Sequence, residues 1–180
     1  MPKSIRVEPE WRRIAGAPAR AAGFAIVLLL LFGTAAARVP ATRAITWTAT
    51  SPPIDLTHIE TGEINRRGEA VGYHHRPNGV DPAAAKVLRL TQPPDANGVY
   101  RARVALHDPQ TGEWVDKIAS STFFPDAMST DAVIQSVLAA FHNGRRRSDG
   151  EFIGASGHGF MIEGWYQGGR IMAAYPLRGP

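Results

Sequence analysis

Val99-Tyr100-Arg101-Ala102-Arg103-Val104-Ala105-Leu106, then Asp108-Pro109-Gln110-Thr111-Gly112, then Glu113-Trp114-Val115-Asp116-Lys117-Ile118, reads as a β-hairpin. The first segment alternates apolar and polar residues over several positions, the period of a strand with one wet face. Asp108 to Gly112 supplies turn chemistry, and the third segment returns alongside the first. Val87-Leu88-Arg89-Leu90 is strand-like as well, and Pro93-Pro94-Asp95-Ala96-Asn97-Gly98 is the loop that enters the hairpin. Gly159 to Trp165 and Arg170 to Tyr175 read as two further strands, joined by a turn around Gln167-Gly168-Gly169. One clear helix is predicted, Ser129 to Asn143. Ser129 or Thr130 can cap its first N–H groups, and Asp131 suits the positive end of its dipole. Val133, Ile134, Val137, Leu138 and Phe141 share one face for core packing, and Gly144 supplies a C′ stop. The class is α+β, ending in antiparallel sheet.

The chain has 180 residues and 44% hydrophobic content, enough for one packed domain and an N-terminal extension. The formal charge of +4 is uneven. Residues 1–37 carry a net +3, which leaves 15 basic against 14 acidic residues in the remainder. Bulk-charge binding of nucleic acid would need a more basic domain, whereas a site gripping one or two phosphates would not. The absence of cysteine excludes disulfides, thiolate zinc sites and cysteine redox chemistry. Basic residues up to Arg20 precede the apolar run Ala21 to Phe32, and Thr34-Ala35-Ala36-Ala37 offers small residues at cleavage spacing. Residues 1–37 are therefore expected to be a signal peptide or an N-terminal membrane anchor. The globular part should then be secreted or periplasmic, or anchored with its domain outside the cytoplasm. Residues 38–53, rich in Thr, Ala and Pro, are expected to be an extended, mobile linker, and 54–180 the domain.

Chemistry concentrates in Thr57-His58-Ile59-Glu60-Thr61-Gly62-Glu63 and Gly72-Tyr73-His74-His75-Arg76-Pro77. His58 and His74 lie sixteen residues apart, each beside a glycine-marked turn. A histidine pair can cleave RNA without metal: one ring takes the 2′-OH proton and the other protonates the departing 5′-oxygen. Lys117-Ile118-Ala119-Ser120-Ser121-Thr122-Phe123-Phe124-Pro125 and the C-terminal Ala173-Ala174-Tyr175-Pro176 follow. The order His…His…Lys-x-x-x-Ser…Tyr-Pro resembles the EndoU endoribonucleases, with the match nearest to bacterial, toxin-like domains. It spans about Asp55 to Pro176.

That resemblance implies an EndoU/barnase-like ribonuclease domain, with N-terminal helices followed by antiparallel sheet. It implies His74 as general base, His58 as general acid and Lys117 as the cation for phosphorane charge. Ser121, Tyr175 and His75 would contact substrate, Tyr175 by stacking. His75 is the rival of His74; in a strand the two would face opposite ways, so only one can meet His58. Ala173 departs from the Thr common in bacterial relatives, which puts uridine preference in doubt more than cleavage. The implied partners are RNA and a cognate immunity protein, with no cofactor and no metal. Two other readings stay open, a binding module with decayed catalysis and a metal-dependent hydrolase using His58, Glu63 and His74. His107, His142 and His158 read as surface residues, and Arg145 to Arg147 as a solvated loop run or an RNA-backbone contact.

Overall fold

The computed structural model describes residues 44–179. The expected signal peptide or anchor and linker residues 38–43 lie outside them. Among the described residues no helix is long and apolar enough to cross a membrane.

In chain order the elements are α1 (Leu56–Glu60), β1 (Glu63–Ile64), β2 (Ala70–Val71), a 3-10 turn (Pro77–Gly79), β3 (Ala85–Gln92), β4 (Tyr100–His107), β5 (Trp114–Asp116) and β6 (Ser121–Phe123). They continue with α2 (Thr130–Asn143), β7 (Arg145–Arg146), β8 (Glu151–Ala155), β9 (Met161–Gln167) and β10 (Arg170–Leu177). The first sheet runs β3-β4-β5, with β6 also paired to β4; the second runs β10-β9-β8-β7; every pairing within them is antiparallel. The α+β class is the one read from the sequence. Its helical head is a single short turn, α1, and the long helix α2 falls between the two sheets in sequence.

The expected mobile linker gives way over Thr46 to Pro53. Leu56 N–H donates to Thr46 O (2.9 Å), Thr48 N–H to Ile54 O (3.0 Å) and Ile171 N–H to Pro53 O (2.9 Å). Thr46 N–H also reaches the Thr57 hydroxyl. These bonds tie Thr46 to α1 and Pro53 to β10.

The return strand of the hairpin is interrupted. β5 pairs with β4 at Ala105 to His107 and β6 pairs with it at Tyr100 to Ala102, so both lie along one edge of β4. Residues 118–120 between them bulge outward, and Ile118 is 80% exposed. A bulge of this kind re-aims the residues that flank it.

Helix α2 packs on the second sheet. Ser129 caps it by accepting from Ala132 N–H, as expected. Val133, Val137, Ala140 and Phe141 are buried among Phe152, Ile162 and Ala174, while Ile134 and Leu138 border that core. A smaller core sits under the first sheet, where Tyr73, Tyr100 and Phe123 meet in edge and stacked contacts. Burying each such ring stabilises by roughly 1.5–3 kcal/mol. Gly144 ends the helix for a reason other than a left-handed turn: its backbone is extended (φ −87°, ψ −179°). A Cβ there would lie 2.3 Å from both Ala140 O and Ile153 O. Gly154 on β8 is under the same constraint, its Cβ falling 2.1 Å from Ala140 O. The helix backbone therefore rests directly on the strand backbone. Gly154→Ala is expected to lower unfolding free energy by about 1–3 kcal/mol through overpacking, seen as a lower urea midpoint; an unchanged midpoint would contradict this seating.

Candidate active site

His58 sits on α1, whose N-cap Asp55 accepts from His58 N–H (3.0 Å). Burial raises the Asp55 carboxyl above its ordinary value, with part of that effect opposed by the cap hydrogen bond. The chain then turns at Gly62 (φ +63°), forms the β1–β2 hairpin and returns through Gly72 (φ +76°). Gly72 permits a close approach, because a Cβ there would lie 2.4 Å from His58 O. Tyr73 follows with φ +63°, an uncommon conformation for a bulky residue. Tyr73 N–H donates to His58 O (2.7 Å), and His74 N–H and His75 N–H both donate to Ile59 O (2.6 and 3.0 Å). The sixteen-residue interval is thus a hairpin excursion. Its ends are bonded to each other through the main chain.

The result is a run of three rings. His74 lies 5.8 Å from His58 and 5.2 Å from Tyr175, centroid to centroid, tilted by 30° and 28°. His74 Nδ1 faces the carbonyl of Thr122 at 2.8 Å. A carbonyl can only accept, so Nδ1 carries the proton and Nε2 holds the lone pair. Burial, with the nearby charges of Lys117 and His58, pushes His74 well below the ordinary imidazole value, against the opposing hydrogen bond to Thr122. It is neutral at pH 7 and fit to accept a proton. His58 Nδ1 lies 2.9 Å from Glu63 Oε1, which leaves its Nε2 to exchange protons with a ligand.

Lys117 follows the last residue of β5 and is partly buried. Its ammonium donates to Gly72 O and to Ser121 Oγ, each at 2.8 Å. One of its three N–H bonds remains for an anion. Burial lowers Lys117 to about 8, with Glu63 pulling the other way. The Tyr175 hydroxyl donates to Glu163 at 2.5 Å; burial and that carboxylate raise it above its ordinary range. Ala173 lies opposite Trp165 two residues before Tyr175 on β10, so it shares that face.

The structure brings His58, His74, Lys117 and Tyr175 together. Two other residues expected to touch substrate are placed differently. His75 is fully buried, with Nε2 3.0 Å from Met128 O and Nδ1 3.3 Å from Glu60. Glu60, held below the ordinary carboxyl range chiefly by that contact, also accepts from the Thr130 hydroxyl, so His75 ties α1 to the head of α2. The two histidines lie outside any strand, so the alternation expected of a strand is not what parts them: both N–H groups bond Ile59 O, and only the His74 ring reaches His58. Ser121 is fully buried too, its hydroxyl donating to Gly72 O at 3.1 Å. It steadies Lys117 here. The pair is joined across the 118–120 bulge.

Behind His74 lies a polar network. Arg76 bonds Asp81 (2.7 Å) and sits 3.6 Å from Asp126; Tyr73 OH donates to Asp81 and Tyr100 OH to Asp126. It braces both sides of the left-handed Tyr73. Glu63 is the functional residue that the sequence reading passed over, having been weighed only as a metal ligand. Its Oε1 fixes His58, while its Oε2 is buried without a partner. Among the described residues no three His, Asp or Glu side chains gather as a metal-ligand set.

Comparison with known proteins follows the same residues. The family described as bacterial EndoU nuclease matches residues 54–178. A toxin of Bacillus cereus is 32% identical over 131 residues, covering 69% of this chain and 22% of the toxin. The chain therefore spans less than a quarter of that relative's length. No solved structure matches. Because the matched region contains the whole cluster of His58, His74, Lys117 and Tyr175, the chain belongs to the bacterial EndoU nuclease family.

Proposed function

We propose that this nuclease is an endoribonuclease that cuts single-stranded RNA by internal transesterification, without a metal ion. The observation that carries the reading is the ring pair. One histidine is held neutral with Nδ1 occupied, and the second is held by a carboxylate through Nδ1, so each has Nε2 left for substrate. His74 Nε2 takes the proton of the ribose 2′-OH, whose oxygen attacks phosphorus. Lys117 stabilises the negative charge on the phosphorane. His58 donates a proton to the departing 5′-oxygen, leaving a 2′,3′-cyclic phosphate and a 5′-OH. Tyr175 lies against His74, where its ring can hold a base or ribose by stacking. Ala173 removes a hydroxyl from the same face, so base preference is weak. Action as a toxin, supported by the toxin relative, belongs to the same reading, together with neutralisation by an immunity protein and export through residues 1–37.

Incubation of the purified chain with a mixed-sequence RNA in excess chelator should give cyclic-phosphate ends. His58→Ala and His74→Ala should each lower the rate by about 10²–10⁴, the usual share of general acid–base catalysis. Cleavage undiminished in both variants would sink the mechanism. Lys117→Met should lose about 10²–10³ in kcat, as when one transition-state donor is removed.

The pH profile gives a separate check. The base must be unprotonated, and His74 is depressed, so the acid limb of kcat/KM should fall below pH 6.5. The ammonium is lost as pH rises through about 8, so activity should decline by that point. An acid limb above 6.5 would remove His74 as the base. Glu63→Gln, which weakens the hold on His58, should reduce kcat more than it changes KM.

A further inference from the structure

The other face of the first sheet carries a second set of cations. Along β4, Arg101 and Arg103 alternate with the buried Ala102 and Val104, so they stand on the outer face. Two bulges in β3 place Arg89 directly opposite Arg103 and Gln92 opposite Arg101; β6 sets Thr122 against Arg101 from the other side. Farther along the same face Lys86 lies opposite Ala105 and Trp114 opposite His107. Lys86 Nζ rests 3.9 Å from the centre of the Trp114 ring, which is itself 42% exposed.

Among the described residues these cations lack anionic partners. Among the described residues Arg67, Arg76 and Arg147 are ion-paired, and Arg146 and Arg170 lie over aromatic rings. Lys86, Arg89, Arg101 and Arg103 have no carboxylate within ion-pair distance, although Asp116 shares their face. Like charges directly opposite in an antiparallel pair destabilise the sheet. In the Arg89–Arg103 pair, Arg103 donates to Ile118 O at 2.7 Å. Guanidinium groups beside an amide, a hydroxyl and a half-open tryptophan suit phosphates and a stacked base. The face also begins at the catalytic cluster: Thr122, opposite Arg101, gives its carbonyl to His74.

Resting on the ribonuclease reading above, we propose that this outer face is a second RNA-binding surface. It holds the phosphates of a strand that continues around the β5–β6 edge from the cleavage site. It sets affinity for long RNA and takes no part in the chemical step.

The test uses the full chain and a labelled 20-nucleotide RNA made uncleavable by 2′-O-methylation, with dinucleotide cleavage measured in parallel. Arg89→Glu with Arg101→Glu should weaken 20-mer binding by at least about tenfold and leave dinucleotide cleavage unchanged. The alanine pair should flatten the salt dependence by about 1.4 in log–log slope, two phosphate contacts at about 0.7 each. Arg89→Lys with Arg101→Lys should bind within about twofold of the parent, showing that charge and not a damaged fold is read. Unchanged 20-mer affinity in the glutamate variant would overturn the proposal, as would a parallel loss of dinucleotide cleavage. Binding of an acidic polypeptide lost in that variant while RNA affinity stays constant would assign the face to a protein and overturn it too. If the parent protein cuts no RNA, the cleavage reading fails while the 20-mer binding still decides this surface.

Discussion

The carbonyl oxygen of Gly72 joins the two halves of the candidate site. It accepts from Lys117 Nζ and from Ser121 Oγ, both delivered by the edge of the first sheet. The same residue lets the His58 carbonyl press against its bare Cα. Lys117 is partly desolvated to reach this point, and two short hydrogen bonds offset that cost in its charged form. The Lys117 ammonium thus loses its proton as pH rises through about 8, beside a histidine held well below the ordinary imidazole value. One backbone acceptor thus sets the spacing between the cation and the base.

The polar network behind His74 does related work at longer range. Arg76 lies between two aspartates, and each aspartate also takes a tyrosine hydroxyl. The bonds connect the loop after His75, the first sheet and the turn that leads to α2. A charged group this enclosed is favourable only when its hydrogen bonds are filled. That requirement makes the network specific about geometry, and Tyr73 is held in its uncommon backbone conformation between its partners.

Much of the architecture was legible because it has a period. Tyr100 to Val104 alternates in burial, and α2 carries its cap and apolar stripe where the sequence put them. The elements that escaped are those too short to show a period, such as α1 and the two-residue strands β1, β2 and β7. The site divides along similar lines. His58, His74, Lys117 and Tyr175 announce themselves by residue type and order, and the structure gathers them. Strand alternation does not apply to His74 and His75, which follow β2 in a loop, and no local pattern reveals depth, so the burial of His75 and Ser121 was not visible. Gly72 acts through its carbonyl, which every residue possesses, and no side-chain pattern marks it. Glu63 was read only as a possible metal ligand, since nothing local says which ring a carboxylate will meet.

The main-chain bonds from Tyr73, His74 and His75 to the carbonyls of His58 and Ile59 have a consequence for how this domain can change over evolutionary time. The separation of the two reactive rings is written in peptide groups, which all twenty amino acids share. Side chains in the two cores can drift, and the hairpin between the histidines can lengthen or shorten, without altering that separation. The spacing of the two rings is thereby insulated from substitutions in the cores, and depends instead on the residues that shape the backbone there, Gly72 foremost.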